Sequence, residues 1–524
     1  MKVQSYSFYL RFVFCVSCFV FCGLWFEFCG LCFVCFALGC LVSRMYRRAS
    51  AATETGGLRR GEASNRRAAK SSGTPLQLYL LRVSVVAIFV IGYFWFSSTH
   101  LRISGQRLQN AVRASETPLG FDAGGLQFSK AVDPDKHYDV CLVGAGISGS
   151  VMAERYASIL GKTTLVMDVR KHIGGNCYDF KEPLSGILMN LYGAHLFHTS
   201  LEKVWKYVNK WQHRGAPWAR WDHEVVGWLK GRLLPIPVNI NTVNGLFDES
   251  IRTSAEMDQW LKRVQIPCRG GREHCENAEE MALSRVGRKL FDIVFKTYTV
   301  KQWNKEPKDL DALVTARIPV RNNFDPRYFS DKYQALPAKG YTNWFSKVLN
   351  HKNIDIVLGV DYFAVRDDLK GRCGKTIFTG PIDRYFKDSG LGKLEYRSIN
   401  FEAELTENKG YAQTNSVVNY PGGDVDFTRV VEYKHYRHQQ SDYTVTVKEY
   451  STDKGDPYYP VPNPANHALY KKYQALAKEE EERNQVYFVG RLASYKYFNM
   501  DRAIENALDY FDRIENHPLQ DDLK

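Results

Sequence analysis

The chain has 524 residues, 24% charged and 44% hydrophobic, with a formal net charge of +13. That length excludes a peptide, a disulfide-stapled miniprotein or a collagen-like fibre, and suits two or three folded units. Residues 1–136 carry 16 Lys/Arg against 7 Asp/Glu, a net of +9, which leaves +4 (13 − 9) for the remaining 388 residues. The body is therefore not a basic nucleic-acid-binding domain, and no nucleic-acid partner is expected.

The first 136 residues read as a leader. An apolar segment, 12–43, is interrupted only by Glu27 and is long enough to span a membrane. Seven of the 12 cysteines lie here, including Cys15-x-x-Cys18 and Cys29-x-x-Cys32-x-x-Cys35. Their apolar neighbours make thiolates costly, so no metal site is expected. A basic linker follows over 44–82, rich in Ala, Ser and Gly near its start. Residues 83–99 carry no charge and end in Tyr93-Phe-Trp-Phe96, an aromatic cluster suited to a membrane interface. Met45 would itself serve as the start of a simple single-pass signal-anchor protein. The positive-inside tendency puts the Arg-rich linker in the cytosol and the body in the lumen. The other cues favour a cytosolic body. Five body cysteines (Cys141, Cys177, Cys268, Cys275, Cys373) do not suggest a disulfide framework, and no Asn-x-Ser/Thr triplet occurs. Residues 103–136 read as a polar tether, with the body starting at His137.

Tyr138–Val143 has the apolar character of a buried parallel strand, followed at once by Gly144-x-Gly146-x-x-Gly149. A helix is predicted over Val151–Leu160 and a second strand over Thr163–Met167, ending at Asp168. The first glycine allows the tight turn, the second lets the backbone approach a pyrophosphate, and the third lets helix pack on strand. Phosphates would face the helix N-terminus and Asp168 a ribose hydroxyl. Arg170 and Gly174-Gly175-Asn176 follow, a Gly-Gly placement common in flavoproteins with extended FAD. Near the C-terminus, Val486–Val489 reads as another strand, leading through Gly490-Arg491 to a helix near Asn499-Met500-Asp501. That helix would bring a second N-terminus onto the cofactor.

These readings give an α/β fold: a Rossmann-like FAD-binding domain (137–215, 331–375 and 461–524) with two inserts, behind a membrane-anchoring leader. One insert is a sheet segment, 216–242, with an antiparallel β-sheet domain over 376–460, where Thr444–Lys448 alternates. The other is a helical substrate domain, 243–330, with helices over Ala255–Val264 and Ala278–Phe295. His195-x-x-His198 comes with no carboxylate or third His in the sequence, so no metal site is expected there.

Beyond the glycine fingerprint, many segments in one order resemble the UDP-galactopyranose mutase family across about residues 137–512. They include Tyr192-Gly-Ala-His-Leu-Phe-His-Thr199 (the family usually has proline in place of Ala194), Phe295–Trp303, Thr315–Pro319 and Arg327–Gln334. Phe378–Asp383, Leu394–Arg397, Asn419-Tyr-Pro, Phe427–Arg429, Val447–Tyr450, Pro457–Pro460 and Gly490–Asp501 continue the match. The resemblance implies an isomerase that interconverts UDP-galactopyranose and UDP-galactofuranose, supplying galactofuranose for glycans. It works through FAD that is active when reduced, with N5 attacking the anomeric carbon as UDP leaves. NADPH or NADH is the expected reductant. The resemblance also assigns Arg317 and Arg429 to the diphosphate, and Arg397 close by. It places Tyr298, Tyr328, Tyr459 and Tyr497 around diphosphate and sugar, Trp303 near uridine, and His195 and His198 near the flavin. Asn499 stands where the family often has Asp, which removes a charge, and Asp501 remains at the helix start. Two alternatives stay open: a flavin-dependent oxidase or dehydrogenase, and a membrane-anchored UDP-sugar binder with impaired turnover.

Overall fold

A computed structural model describes residues 100–103, 126–212, 215–271 and 274–516. The apolar segments 12–43 and 83–99 and the basic linker 44–82 lie outside the described residues. Among the described residues no helix is long and apolar enough to cross a membrane.

Five parallel strands form the Rossmann-like sheet in the order Ile354–Leu358, Thr164–Asp168, Tyr138–Val143, Cys373–Phe378, Val486–Phe488. Thr164–Asp168 is buried at every position, as a strand covered on both faces must be. The helix after the fingerprint spans Ile147–Ile159 and so starts ahead of the expected Val151. Ser148, Gly149 and Ser150 carry no apolar period, but tertiary packing buries all three. This helix packs on the closing helix Met500–Glu515, with Tyr156 set edge-on to Phe511 at 5.2 Å and its hydroxyl donating to Glu515 at 2.8 Å.

The sheet corrects the cysteine reading. Cys141 and Cys373 sit on adjacent strands with Cα atoms 5.7 Å apart and form a disulfide across 232 residues of sequence. A second disulfide, Cys268–Cys275, closes a short loop, and Cys177 is free and buried. Sequence spacing does not show which strands will be neighbours, so the first pairing was invisible to it.

The second sheet has eight strands. Its order is His100–Ile103, Tyr396–Glu407, Tyr443–Thr452, Arg429–Glu432, Val417–Asn419, Val225–Leu229, Arg232–Ile236, with Tyr459–Pro460 also paired to Tyr396–Glu407. All pairs are antiparallel except Val417–Asn419 with Val225–Leu229. His100–Ile103 covers an edge of this sheet, and Ser129 bridges to Val357 of the Rossmann sheet. The body therefore recruits chain ahead of His137, because a free strand edge is satisfied by any segment able to pair with it.

The helical region contains Ile240–Phe247, Ser254–Val264, Ala278–Leu290, Thr297–Trp303 and the short Leu313–Ala316. Asn239 and Thr253 open the first two with capping boxes. The single helix expected over Ala278–Phe295 breaks at Gly287 (φ 72°), where a Cβ would lie 2.1 Å from the Val264 carbonyl oxygen. A π-helical turn, Phe291–Lys296, follows and leads into the segment carrying Tyr298.

Candidate active site

The carboxyl ends of the Rossmann strands open into a cavity of about 790 Å³, shared with the second sheet and the helical region. At one end lie Gly144, Gly146, Asp168, Arg170, Gly174, Gly175 and Asn176. A Cβ on Gly149 would fall 1.8 Å from the Gly144 carbonyl oxygen, so only glycine lets this helix sit so close to the turn. Gly146 is different: a Cβ there would meet nothing nearer than Gly175 Cα at 3.7 Å, which leaves an open backbone cradle facing the cavity. Asp168 accepts the N–H of Ala145 and that of Arg170, both at 2.8 Å, while burial pushes its carboxyl above the ordinary range. Arg170 donates to Asn176 at 2.9 Å and stands 4.3 Å over the Tyr192 ring.

The closing helix begins at Met500 beside this region, and Asn499 at its N-cap makes no side-chain cap bond. Uncapped N–H groups of a 16-residue helix face the cavity wall formed by Asn499 and Met500. The glycine cradle, the buried acid and two helix N-termini fit an extended dinucleotide such as FAD.

At the other end, Arg317 and Arg429 enter from different elements. Arg317 follows the short helix Leu313–Ala316 and holds its guanidinium 4.0 Å over Tyr497, with no ion pair among the described residues. Arg429 Nε lies 2.9 Å from Glu449 Oε2, without hydrogen-bond geometry at Nε. Tyr459 stacks on Tyr497 at 5.3 Å and lies beneath Arg491. Burial pushes the Tyr298 and Tyr459 hydroxyls up to about 12, so both stay protonated. Tyr328 also lines this end, its N–H donating to the His223 carbonyl at 2.6 Å.

His195 also lines the cavity, and its Nδ1 bonds the Gly193 carbonyl at 2.8 Å. A carbonyl can only accept, so Nδ1 carries the proton and Nε2 is the bare nitrogen. Burial lowers His195 to about 4, which keeps the ring neutral. His198 stacks on Phe329 at 3.7 Å and bonds Asp331 at 2.7 Å.

Other candidates lie behind the wall. Trp303 is buried against Tyr459 and Tyr497, outside the cavity lining. Arg397 is buried, donating to the Gln302 carbonyl at 3.0 Å and ion-pairing with Asp453. Gly149, Gly490 and Asp501 are also off the lining; Gly490 has φ 97°, and Asp501 accepts the Arg502 N–H at 2.7 Å. Lining residues that no sequence pattern assigns include His223 and Glu449. His223 is fully covered, its Nδ1 has no partner, and burial lowers it to about 3. No spacing marks it; only tertiary folding brings it to the cavity. Glu449 lies in the segment Val447–Tyr450 and faces Arg429 through strand register.

Comparisons with known proteins agree with this geometry. The family described as UDP-galactopyranose mutase matches residues 293–497, and an NAD(P)-binding Rossmann-like domain matches 142–211. A probable UDP-galactopyranose mutase of Klebsiella pneumoniae is 36% identical over 72% of this chain and 94% of its own length. A dTDP-fucopyranose mutase of Escherichia coli is 36% identical over 71% of this chain and 96% of its own. A UDP-galactopyranose mutase of Mycoplasma genitalium is 30% identical over 70% and 92%. A crystal structure of reduced UDP-galactopyranose mutase superposes with a TM-score of 0.56 at 16% identity, covering 74% of this chain and 95% of that one, and supports the fold. With a fingerprinted cradle at one end of the cavity, a pair of arginines at the other and these relatives along most of its length, the chain belongs to the UDP-galactopyranose mutase family.

Proposed function

We propose that this protein is an isomerase interconverting UDP-galactopyranose and UDP-galactofuranose on bound FAD. The observation that carries this is one continuous cavity with a dinucleotide cradle at one end and Arg317 and Arg429 at the other. The guanidinium fork matches diphosphate oxygens, and charge on departing UDP is stabilised where these two cations converge. Tyr298 and Tyr459, protonated throughout the working pH range, donate hydrogen bonds without adding charge. Tyr328 and Tyr497 complete the aromatic wall around the sugar and diphosphate. Trp303 and Arg397 act from behind, Trp303 by packing Tyr459 and Tyr497 in place.

Gly144, Gly146, Asp168, Arg170, Gly175 and Asn176 would hold FAD with the start of the closing helix. Reduced FAD supplies, when bound, the nucleophile for the anomeric carbon. His195 meets it as a neutral ring with Nε2 free to accept a hydrogen bond, so positive charge near the cofactor comes from Arg491 and the helix N-terminus instead. NADPH or NADH is the proposed reductant.

The alternative of an oxidase or dehydrogenase is not favoured by the family match. Incubating the reduced, FAD-loaded protein with UDP-galactofuranose and separating the products tests the proposal. UDP-galactopyranose is the expected product, with dTDP-fucopyranose as a competitor because one relative carries that name. An oxidised sugar formed with oxygen uptake would contradict it.

We further propose attachment to a membrane through residues 83–99, supported by their lack of charge and terminal aromatic cluster. The body then lies opposite the Arg-rich linker, and two disulfides support an oxidising compartment. Protease protection of the body in sealed vesicles checks the side; digestion without detergent would reverse the assignment.

A further inference from the structure

Arg317 stands on very little structure of its own. Its helix, Leu313–Ala316, is four residues long, and Arg317 itself is the C-terminal cap. The carbonyls at such a helix end have no partners within the helix and need donors from elsewhere. The Thr315 carbonyl accepts the Ile318 N–H at 3.2 Å, and one side chain adds a donor to it and to two further carbonyls. Arg285, on the helix Ala278–Leu290, donates through a single Nη1 to the carbonyls of Thr315 at 3.1 Å, Ala316 at 2.8 Å and Ile318 at 2.6 Å. These three peptides flank Arg317 on both sides. At the other end of the same helix, Thr315 Oγ1 donates to the Ala278 carbonyl at 2.8 Å, so the turn is stapled to this helix twice.

Arg285 is half-buried and has no ion pair among the described residues. Its charge is balanced by carbonyl dipoles at the negative end of a helix, where a cation is favoured. A half-buried cation placed there for packing alone would be better served by a carboxylate. Its partners are the backbone beneath the diphosphate-facing arginine.

We infer that Arg285 is a positioning residue for substrate: it fixes the turn that carries Arg317, and so holds that guanidinium over Tyr497 and toward the diphosphate. This deepens the proposed function and rests on it. Arg285 does not line the cavity. Its effect should run entirely through Arg317. A small displacement of a positioned cation is enough to weaken a bidentate contact.

The test is titration of the full-length, FAD-loaded protein with UDP, in single and double variants. Arg285→Met keeps the aliphatic stem and removes the donors. It should weaken UDP binding about tenfold with FAD content and the flavin absorbance spectrum unchanged. Arg285→Lys, whose ammonium has three protons for three carbonyls, should recover most of that loss. In an Arg317→Ala background, Arg285→Met should weaken UDP no further. If Arg285→Met does not fold, Arg285→Gln enters the same comparison. Equal losses in both backgrounds, or an Arg285→Met protein that binds UDP like the wild type, would overturn the positioning role. Wild-type protein that fails to bind UDP at all would instead overturn the functional reading.

Discussion

Arg429 and Glu449 are register partners on neighbouring antiparallel strands, with Arg429 Nε 2.9 Å from Glu449 Oε2 and Glu449 only 2% exposed. The sheet thus presents a cation to the cavity with its counter-charge beside it on the neighbouring strand. Arg317 has no such partner among the described residues and leans on Tyr497. Removing the two arginines should therefore have different consequences. Arg429→Ala strands a buried carboxylate and should cost on the order of 3 kcal/mol of stability as well as UDP binding. Arg317→Ala should weaken UDP binding by about a hundredfold, leaving it measurable, with stability changed by about 1 kcal/mol or less. Thermal melts beside UDP titrations check this, and equal melting losses would contradict it.

Two glycines of one fingerprint separate folding from cofactor binding. Gly149→Ala drives a Cβ into the Gly144 carbonyl, so it should lower the melting temperature of the flavin-free protein. Gly146→Val projects into the cradle with only Gly175 Cα near it. It should fold but purify without FAD. Flavin stoichiometry and the melting curve of apoprotein distinguish them.

A third expectation concerns acid. Burial lowers His223 from 6.5 to about 3, with Arg429 and His198 adding to the shift. The unfolded chain takes up a proton as pH falls through about 6.5, while the folded protein resists until about 3. The contribution of the neutral ring is whole above the unfolded pKa and shrinks on acidification, by on the order of 1 kcal/mol per pH unit. His195, lowered to about 4, acts in the same direction. His223→Gln should therefore flatten the fall in melting temperature between about pH 7 and about pH 4.5. A slope identical to the wild type would show that His223 is protonated in the fold.

Asn499 offers a test of the impaired-binder alternative. It caps a 16-residue helix without a side-chain bond, and a carboxylate there would meet the positive end of the helix dipole. Asn499→Asp should add about 0.5 kcal/mol of stability. Turnover of the two proteins should agree within about tenfold; activity seen only in the aspartate variant would support the binder reading.

The parts of this molecule legible in the sequence are those encoded by local pattern. Tyr138–Val143, the three glycines and Asp168 form one contiguous unit whose spacing is dictated by a pyrophosphate, and it folds as such. Motif resemblance points to Arg317 and Arg429, and the fold brings them to one cavity from a helix end and a strand. What was not legible depends on long-range pairing. Cys141 meets Cys373 only because two strands become neighbours, and His223 reaches the site only because the strand Val225–Leu229 joins Val417–Asn419 in parallel. His100–Ile103 reads as leader in the sequence because a short strand on a sheet edge has no pattern of its own. Trp303 and Arg397 have the right residue types, but their neighbours turn them into the wall behind the site.

The proposed isomerisation needs reduced flavin yet consumes no reducing equivalents. The most direct measurement is the rate of UDP-galactofuranose conversion by the full-length, FAD-loaded protein as the reduced fraction is raised with dithionite under anaerobic conditions. The rate should rise in proportion to reduced flavin, with UDP-galactopyranose accumulating over many turnovers and the flavin remaining reduced at the end. Conversion by the oxidised protein alone, or one reducing equivalent consumed for each sugar transformed, would contradict the account.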